Sequence, residues 1–177
     1  VAGLTLSSDG KLAFVLGSGN QIQALDLAAA TVTPITVLPA AAKPSSMALV
    51  TSTAPDMLAI ADQTNLFLHL VALPPAAALI GSVKLDHPLV GLVAAPGGHW
   101  AYVLERDTDS FIQSVSLDAL VQHLAITPGA PFKIGDDSRQ IVMTASGKRL
   151  YIAYVDDLTQ AAAGGVALVE ITEGSCE

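Results

Sequence analysis

"LTLSSDGKLAFVLGSGNQIQALDL", Leu4–Leu27, reads as an apolar strand, a tight Asp-Gly turn, a second strand, a short Gly/Asn loop and a third strand. The order recurs along the chain. Turn signals align at Ser7–Lys11 (SSDGK), Thr53–Met57 (TAPDM), Ala95–His99 (APGGH) and Thr144–Lys148 (TASGK). Each is followed by an apolar strand: LAFVL, LAIA, WAYVL and RLYIAY. From Leu12 to Leu58, Trp100 and Leu150 the steps are 46, 42 and 50 residues. That is the period of a four-stranded propeller blade, about 40–50 residues.

The rest of each unit follows the same plan. Polar loops at Gly17–Asn20, Asp62–Asn65, Glu105–Ser110 and Val155–Gly165 lead into third strands IQALDL, FLHLVAL, IQSVSL and VALVEI. Fourth strands are expected at Thr33–Leu38, Leu79–Leu85 and His123–Thr127, and none follows the last unit. Pro34 suits an outermost strand, because proline cannot donate to the ladder. The first strands KPSSMALV and HPLVGLVA carry small residues, Ser45, Ser46, Ala48, Gly91, Ala94 and Ala95. Innermost strands need small residues where blades converge on an axis. The bulkier Phe14, Trp100, Tyr102 and Tyr151 fall on second strands. A two-sheet sandwich also uses short strands, but it does not require one unit at a steady step.

The reading is therefore all-β: about four propeller blades of four antiparallel strands, in one partial domain over 1–177 with blades at roughly 1–43, 44–87, 88–137 and 138–177. The first unit resembles the YVTN-type repeat of lactonase-like propellers through Asp9, Gly10, Lys11, Asn20 and Asp26. Later units keep Gly98, Gly147 and Lys148 and lose most of the polar signature. The resemblance implies a fold and little chemistry. It also implies a ring of about seven blades, or eight if two four-blade copies combine. Fewer than four 46-residue units fit in 177 residues, so the remaining blades of a longer chain, or a second copy, are expected to close the ring.

Composition narrows the function. The chain is 51% hydrophobic and 14% charged, which fits a packed domain. Eight basic residues against sixteen acidic ones, with no Lys/Arg cluster beyond Lys148–Arg149, argue against nucleic-acid binding. No apolar run reaches the length of a membrane span. Cys176 has no partner cysteine in the chain. The start at Val1, with neither methionine nor leader, is read as a removed signal peptide or an interior start, and a secreted, periplasmic or cell-surface setting is expected.

No G-x-S-x-G motif is present, the Gly-rich spots lead into strands rather than helices, and the four histidines share no metal-ligand spacing. The resemblance places ligands on the face carrying second-to-third-strand loops and inter-blade connectors. Asp62, Glu105, Asp107, Asp109, Asp156 and Asp157 fall on the loops, with Asp86, His87, Asp136 and Asp137 on the connectors. Lys43, His87 and Arg139 are read at comparable connector positions. Asp107 and Asp109 form a candidate calcium pair, without the glycine and bidentate glutamate of an EF-hand. His69, mid-strand, is read as a hydrogen-bonded core histidine. The first functional expectation is a non-catalytic module binding a protein or glycan. The alternatives are a lactonase-like or quinoprotein-like enzyme with a central pocket, and a structural scaffold repeat.

Overall fold

The computed structural model describes residues 3–17, 21–35, 37–51, 56–74, 77–155 and 164–172. Fifteen strands among them form four antiparallel sheets. Blade 1 contains β1 (Gly3–Leu6), β2 (Leu12–Leu16), β3 (Ile22–Asp26) and β4 (Thr31–Ile35). Blade 2 contains β5 (Pro44–Val50), β6 (Met57–Asp62), β7 (Phe67–Ala72) and β8 (Ala78–Lys84). Blade 3 contains β9 (Leu89–Ala94), β10 (Trp100–Arg106), β11 (Ser110–Ser116) and β12 (Phe132–Gly135). Blade 4 contains β13 (Asp137–Met143), β14 (Arg149–Val155) and β15 (Gly164–Glu170). In every sheet the strands pair in chain order, and β1, β5, β9 and β13 touch one another in succession as the innermost strands.

The turns follow from local chemistry. Asp9 accepts the Lys11 N–H at 3.1 Å and the Ser7 hydroxyl at 2.7 Å, while Gly10 takes φ 69°. The hydrogen bond Gly10 N–H to Ser7 O recurs as Gly98 to Ala95 and Gly147 to Thr144, with φ of 75° and 70° at those glycines.

Side-chain alternation then builds three cores. Phe14, Leu16 and Ile22 of blade 1 pack on Leu58, Ile60 and Val71 of blade 2. Ala59, Leu68 and Leu70, on the other face of blade 2, meet Ala101, Val103 and Val115 of blade 3. Tyr102, Leu104 and Ile112 meet Ile141, Leu150 and Ile152 of blade 4. The small residues of the innermost strands are required: a methyl group on Gly91 would lie 3.1 Å from Ile141 Cγ2 and 3.2 Å from Leu104 Cβ.

Two strand expectations need correction. β4 spans Thr31–Ile35 rather than Thr33–Leu38, because the Asp26 carboxylate accepts the Ala28 and Ala29 N–H groups and closes a tighter turn. His123–Thr127 is not a strand. Ser116 instead caps a one-turn helix, α1 (Leu117–Val121), by accepting the Ala119 N–H, and Leu117 and Leu120 are buried. Leu120 packs where Gly81 of β8 leaves room: a methyl there would meet Leu120 Cδ2 at 3.1 Å. The fourth strand of blade 3 comes later, as β12, with Phe132 opposite Ile112. No helix among the described residues is long and apolar enough to cross a membrane.

Candidate functional site

The connectors and the loops joining second to third strands gather at one end of the sheets. Two carboxylates occupy matching places there. Asp62 ends β6 opposite Pro44, and Glu105 lies near the end of β10 opposite Leu89. Each accepts the backbone N–H of the residue just before a proline, Lys43 for Asp62 (3.1 Å) and His87 for Glu105 (3.2 Å). In blades 2 and 3 a carboxylate thus fastens the connector arriving from the blade before it.

The two are solvated by protein very differently. Asp62 Oδ1 also accepts the N–H groups of Thr64 (3.1 Å) and Asn65 (3.2 Å), and Oδ2 accepts Asn65 Nδ2 at 2.7 Å. Burial pushes the Asp62 carboxyl up, but the donors from Asn65, Lys43 and Thr64 outweigh it and hold it below the ordinary aspartate value. Glu105 is fully buried, and its Oε1 has no hydrogen-bond partner among the described residues. Burial, reinforced by the charge of Asp86 and opposed by the His87 N–H, raises its pKa from 4.5 to about 7. The same position therefore holds an ionised aspartate in blade 2 and a glutamate poised to be protonated in blade 3.

His69 is buried as expected, with Nδ1 at 2.7 Å from Ser82 Oγ. Its Nε2 lies 3.7 Å from Asp62 Oδ2. Burial lowers its pKa against the pull of Asp62, which keeps the ring neutral.

Between blades 3 and 4 the fastening is ionic. Arg106 donates to Asp137 Oδ1 at 2.5 Å, and Arg139 pairs with the other oxygen of the same carboxylate. Ser110 Oγ donates to Asp136 O at 3.1 Å and accepts the Ser138 N–H at 2.8 Å. Arg139 is not at the level of Lys43 and His87. The strand register skips one residue near the start of β5, β9 and β13, at Ser45, Val90 and Arg139 in turn. The bulge, not the connector, is the structural equivalent of Arg139.

The remaining predicted residues are dispersed. Lys43, Asp86 and Asp107 are exposed, and the Asp107 N–H closes its loop on Asp109 O at 2.9 Å. The Asp109 carboxylate is taken by Lys133 Nζ at 2.7 Å, so an ammonium occupies one half of the candidate calcium pair. That hydrogen bond raises the Lys133 pKa. Among the described residues no three His, Cys, Asp or Glu side chains converge as metal ligands. Asp156 and Asp157 lie outside the described residues. His87 stacks on Phe111, with ring centroids 4.8 Å apart at 13°.

Arg106, Ser110 and Lys133 are the residues that reading the sequence missed. The one available signal was the single arginine inside the acidic run ERDTDS. A cation there needs a carboxylate, and the connector GDDS supplies it.

No protein-family description matches the chain, and no curated protein matches it in sequence. Solved structures do. Hydrazine synthase of Kuenenia stuttgartiensis aligns with TM-score 0.72 at 16% identity, covering 94% of this chain and 45% of that one. A putative 6-phosphogluconolactonase from Bacteroides fragilis aligns with TM-score 0.71 at 14% identity, over 99% and 51%. The β-propeller domain of Myceliophteria thermophila Cps50 (Swd1) aligns with TM-score 0.64 at 14% identity, over 86% and 48%. At these identities the likeness establishes the β-propeller fold. The chain spans about half the length of the structures it matches.

Proposed function

We propose that this chain is a non-catalytic binding module of the YVTN-type, lactonase-like propeller class. The observation that supports it is the use made of the buried charges. Asp62, Glu105 and Asp137 hold backbone or guanidinium donors of loops and connectors, which stiffens the rim. Among the described residues the charges facing solvent on that rim include Asp86, Asp107 and Asp136, with Lys43 beside them, and the chain net charge is −8. A rigid acidic rim fits a basic segment of a protein partner, and a glycan is the other class of ligand. A secreted, periplasmic or surface setting belongs to the same proposal, and fractionation of producing cells tests it.

The decisive assay is biolayer interferometry against a Lys/Arg-rich peptide and a neutral glycan panel at two salt concentrations. Rim charges act mainly on association rate and salt dependence. The peptide is expected to bind and to associate several-fold more slowly to Asp86→Asn/Asp107→Asn. Binding that ignores both substitutions and salt overturns the basic-partner reading, and glycan binding without peptide binding reassigns the ligand class.

A second reading, a lactonase-like or quinoprotein-like enzyme, is favoured by the alignment of 99% of the chain with a putative 6-phosphogluconolactonase. Hydrolysis of a lactone panel above background would establish it, and rates no higher than background would exclude it.

A further inference from the structure

The outermost strand of blade 2 carries a serine that the rim does not use. Ser82 stands on β8, the last strand of its sheet, opposite His69 of β7. Ser82 is exposed, whereas His69 and Asp62 are buried. Ser82 Oγ lies 2.7 Å from His69 Nδ1, and Asp62 Oδ2 of β6 lies 3.7 Å from His69 Nε2. Three adjacent strands therefore line up a hydroxyl, an imidazole and a carboxylate, from solvent inward.

The protonation of this row follows from its surroundings. Four donors keep Asp62 ionised. Burial keeps His69 neutral, so the ring carries one N–H. At 3.7 Å the Asp62 carboxylate is beyond a normal hydrogen bond, but its charge favours the proton on the nitrogen facing it, Nε2. Nδ1 is then an acceptor, and the Ser82 hydroxyl donates to it. Phe67 stacks on the ring, with centroids 5.8 Å apart at 18°, and fixes its plane. A nucleophile hydrogen-bonded to a base that a third group orients is the arrangement that activates serine.

The strand edge supplies one further group. The Leu85 N–H donates to Leu66 O, which makes Leu66 and Leu85 a hydrogen-bonded pair of the ladder. Such pairs alternate with non-hydrogen-bonded ones, so His69 and Ser82, three steps along, form a non-hydrogen-bonded pair. The Ser82 N–H consequently points away from β7, out of the sheet edge. A backbone N–H so placed can stabilise an oxyanion formed on the carbonyl that Ser82 attacks.

We propose that Ser82 is a covalent modification site that takes an acyl group from an activated carboxylic ester, with His69 as its base. Ser82 Oγ attacks the ester carbonyl carbon while its proton passes to His69 Nδ1, and the ionised Asp62 offsets the charge of the imidazolium. The bond from that carbon to the leaving oxygen then breaks, the leaving oxygen takes the proton from Nδ1, and the acyl group stays on Oγ. Ser82 is not one of the rim residues, so its reactivity is independent of any partner bound there.

The test is incubation of the 177-residue chain with p-nitrophenyl acetate, then digestion and mass spectrometry of the peptide that holds Ser82. An acetyl group on Ser82 is expected, formed at least about 100-fold faster than in His69→Gln, the usual worth of a general base. Asp62→Asn would place an amide N–H opposite Nε2 and shift the ring proton to Nδ1, so a comparable loss is expected there. Circular dichroism verifies that each variant is folded. The native chain adds a readout that needs no variant. Its acetylation rate should be flat from pH 6.5 upward, because burial holds the His69 pKa below that value. Absence of the acetyl group, equal rates in the native chain and His69→Gln, or a rate that climbs in proportion to hydroxide each overturns the proposal. Any of these leaves the Ser82–His69 contact as a structural cross-strand hydrogen bond only.

Discussion

Glu105→Gln should change how the stability of this protein responds to pH. The Glu105 carboxyl is fully buried and titrates at about 7 rather than 4.5. A carboxyl raised on folding contributes stability that is fully present below its unfolded pKa and lost as pH rises through its folded one. The window is therefore pH 4.5 to about 7. The shift of about 2.5 units corresponds to about 3 kcal/mol at 1.36 kcal/mol per unit. Glutamine keeps a carbonyl to accept the His87 N–H and cannot ionise. The assay is urea unfolding of both proteins at matched concentration across this range, read as their stability difference, so that the titration of His69 and the exposed acids cancels. The glutamine variant should gain about 3 kcal/mol on the native protein between pH 4.5 and 8, equivalent to roughly 6–12 °C in Tm for a domain of this size. A difference that stays flat across that range refutes the reasoning, because it would mean the carboxyl is ionised and solvated like any surface glutamate.

Asp62→Ala removes the acceptor of four donors and frees the connector at Lys43, and a loss of about 3 kcal/mol is expected in urea unfolding at pH 7. The same substitution should flatten stability only below pH 4, since the depressed Asp62 pKa contributes stability that is lost as pH falls through it. Gly98→Ala meets both a φ of 75° and the Thr51 carbonyl, and should cost about 3 kcal/mol. Gly10→Ala, strained but unobstructed, should cost about 1 kcal/mol in the same assay. Ser45→Ala deletes the hydroxyl bond to Leu89 O and should lower stability by about 1 kcal/mol, seen as a shift in the urea midpoint at constant slope.

The fold was legible because its signals are local. Asp9, Gly10 and Lys11 specify a turn within five residues, and the strands that follow need only apolar composition and a fixed step. The reading failed where two local signals competed. SLDALV continues an apolar third strand, but its Ser116 cap and the spacing of Leu117 and Leu120 also describe a helical turn, and Gly81 on the neighbouring blade decided between them. At the candidate site the acids were visible and their partners were not. Arg106 and Asp137 are 31 residues apart, and Asp62 meets the Lys43 N–H from 19 residues away. Backbone donors leave no trace in residue type, so a carboxylate that fastens a connector reads like one that waits for a ligand.

Asp62 and Glu105 make that ambiguity physical. Both sit near the end of a second strand, and both grip the residue before a proline at the entry to the innermost strand of their own blade. Proline has no N–H, so in these two blades the preceding residue supplies the donor and the carboxylate satisfies it. In blade 2 the DQTN loop folds back as an Asx turn and adds three donors, which holds the aspartate ionised. In blade 3 Glu105 accepts the His87 N–H, and Arg106, the next residue of the strand, faces the other way and pairs with Asp137 of the next blade. One oxygen is left without a donor, and the carboxyl keeps its proton instead. The donors of the DQTN loop at Asp62, and their absence at Glu105, thus give two blades of one repeat two different electrostatic sites.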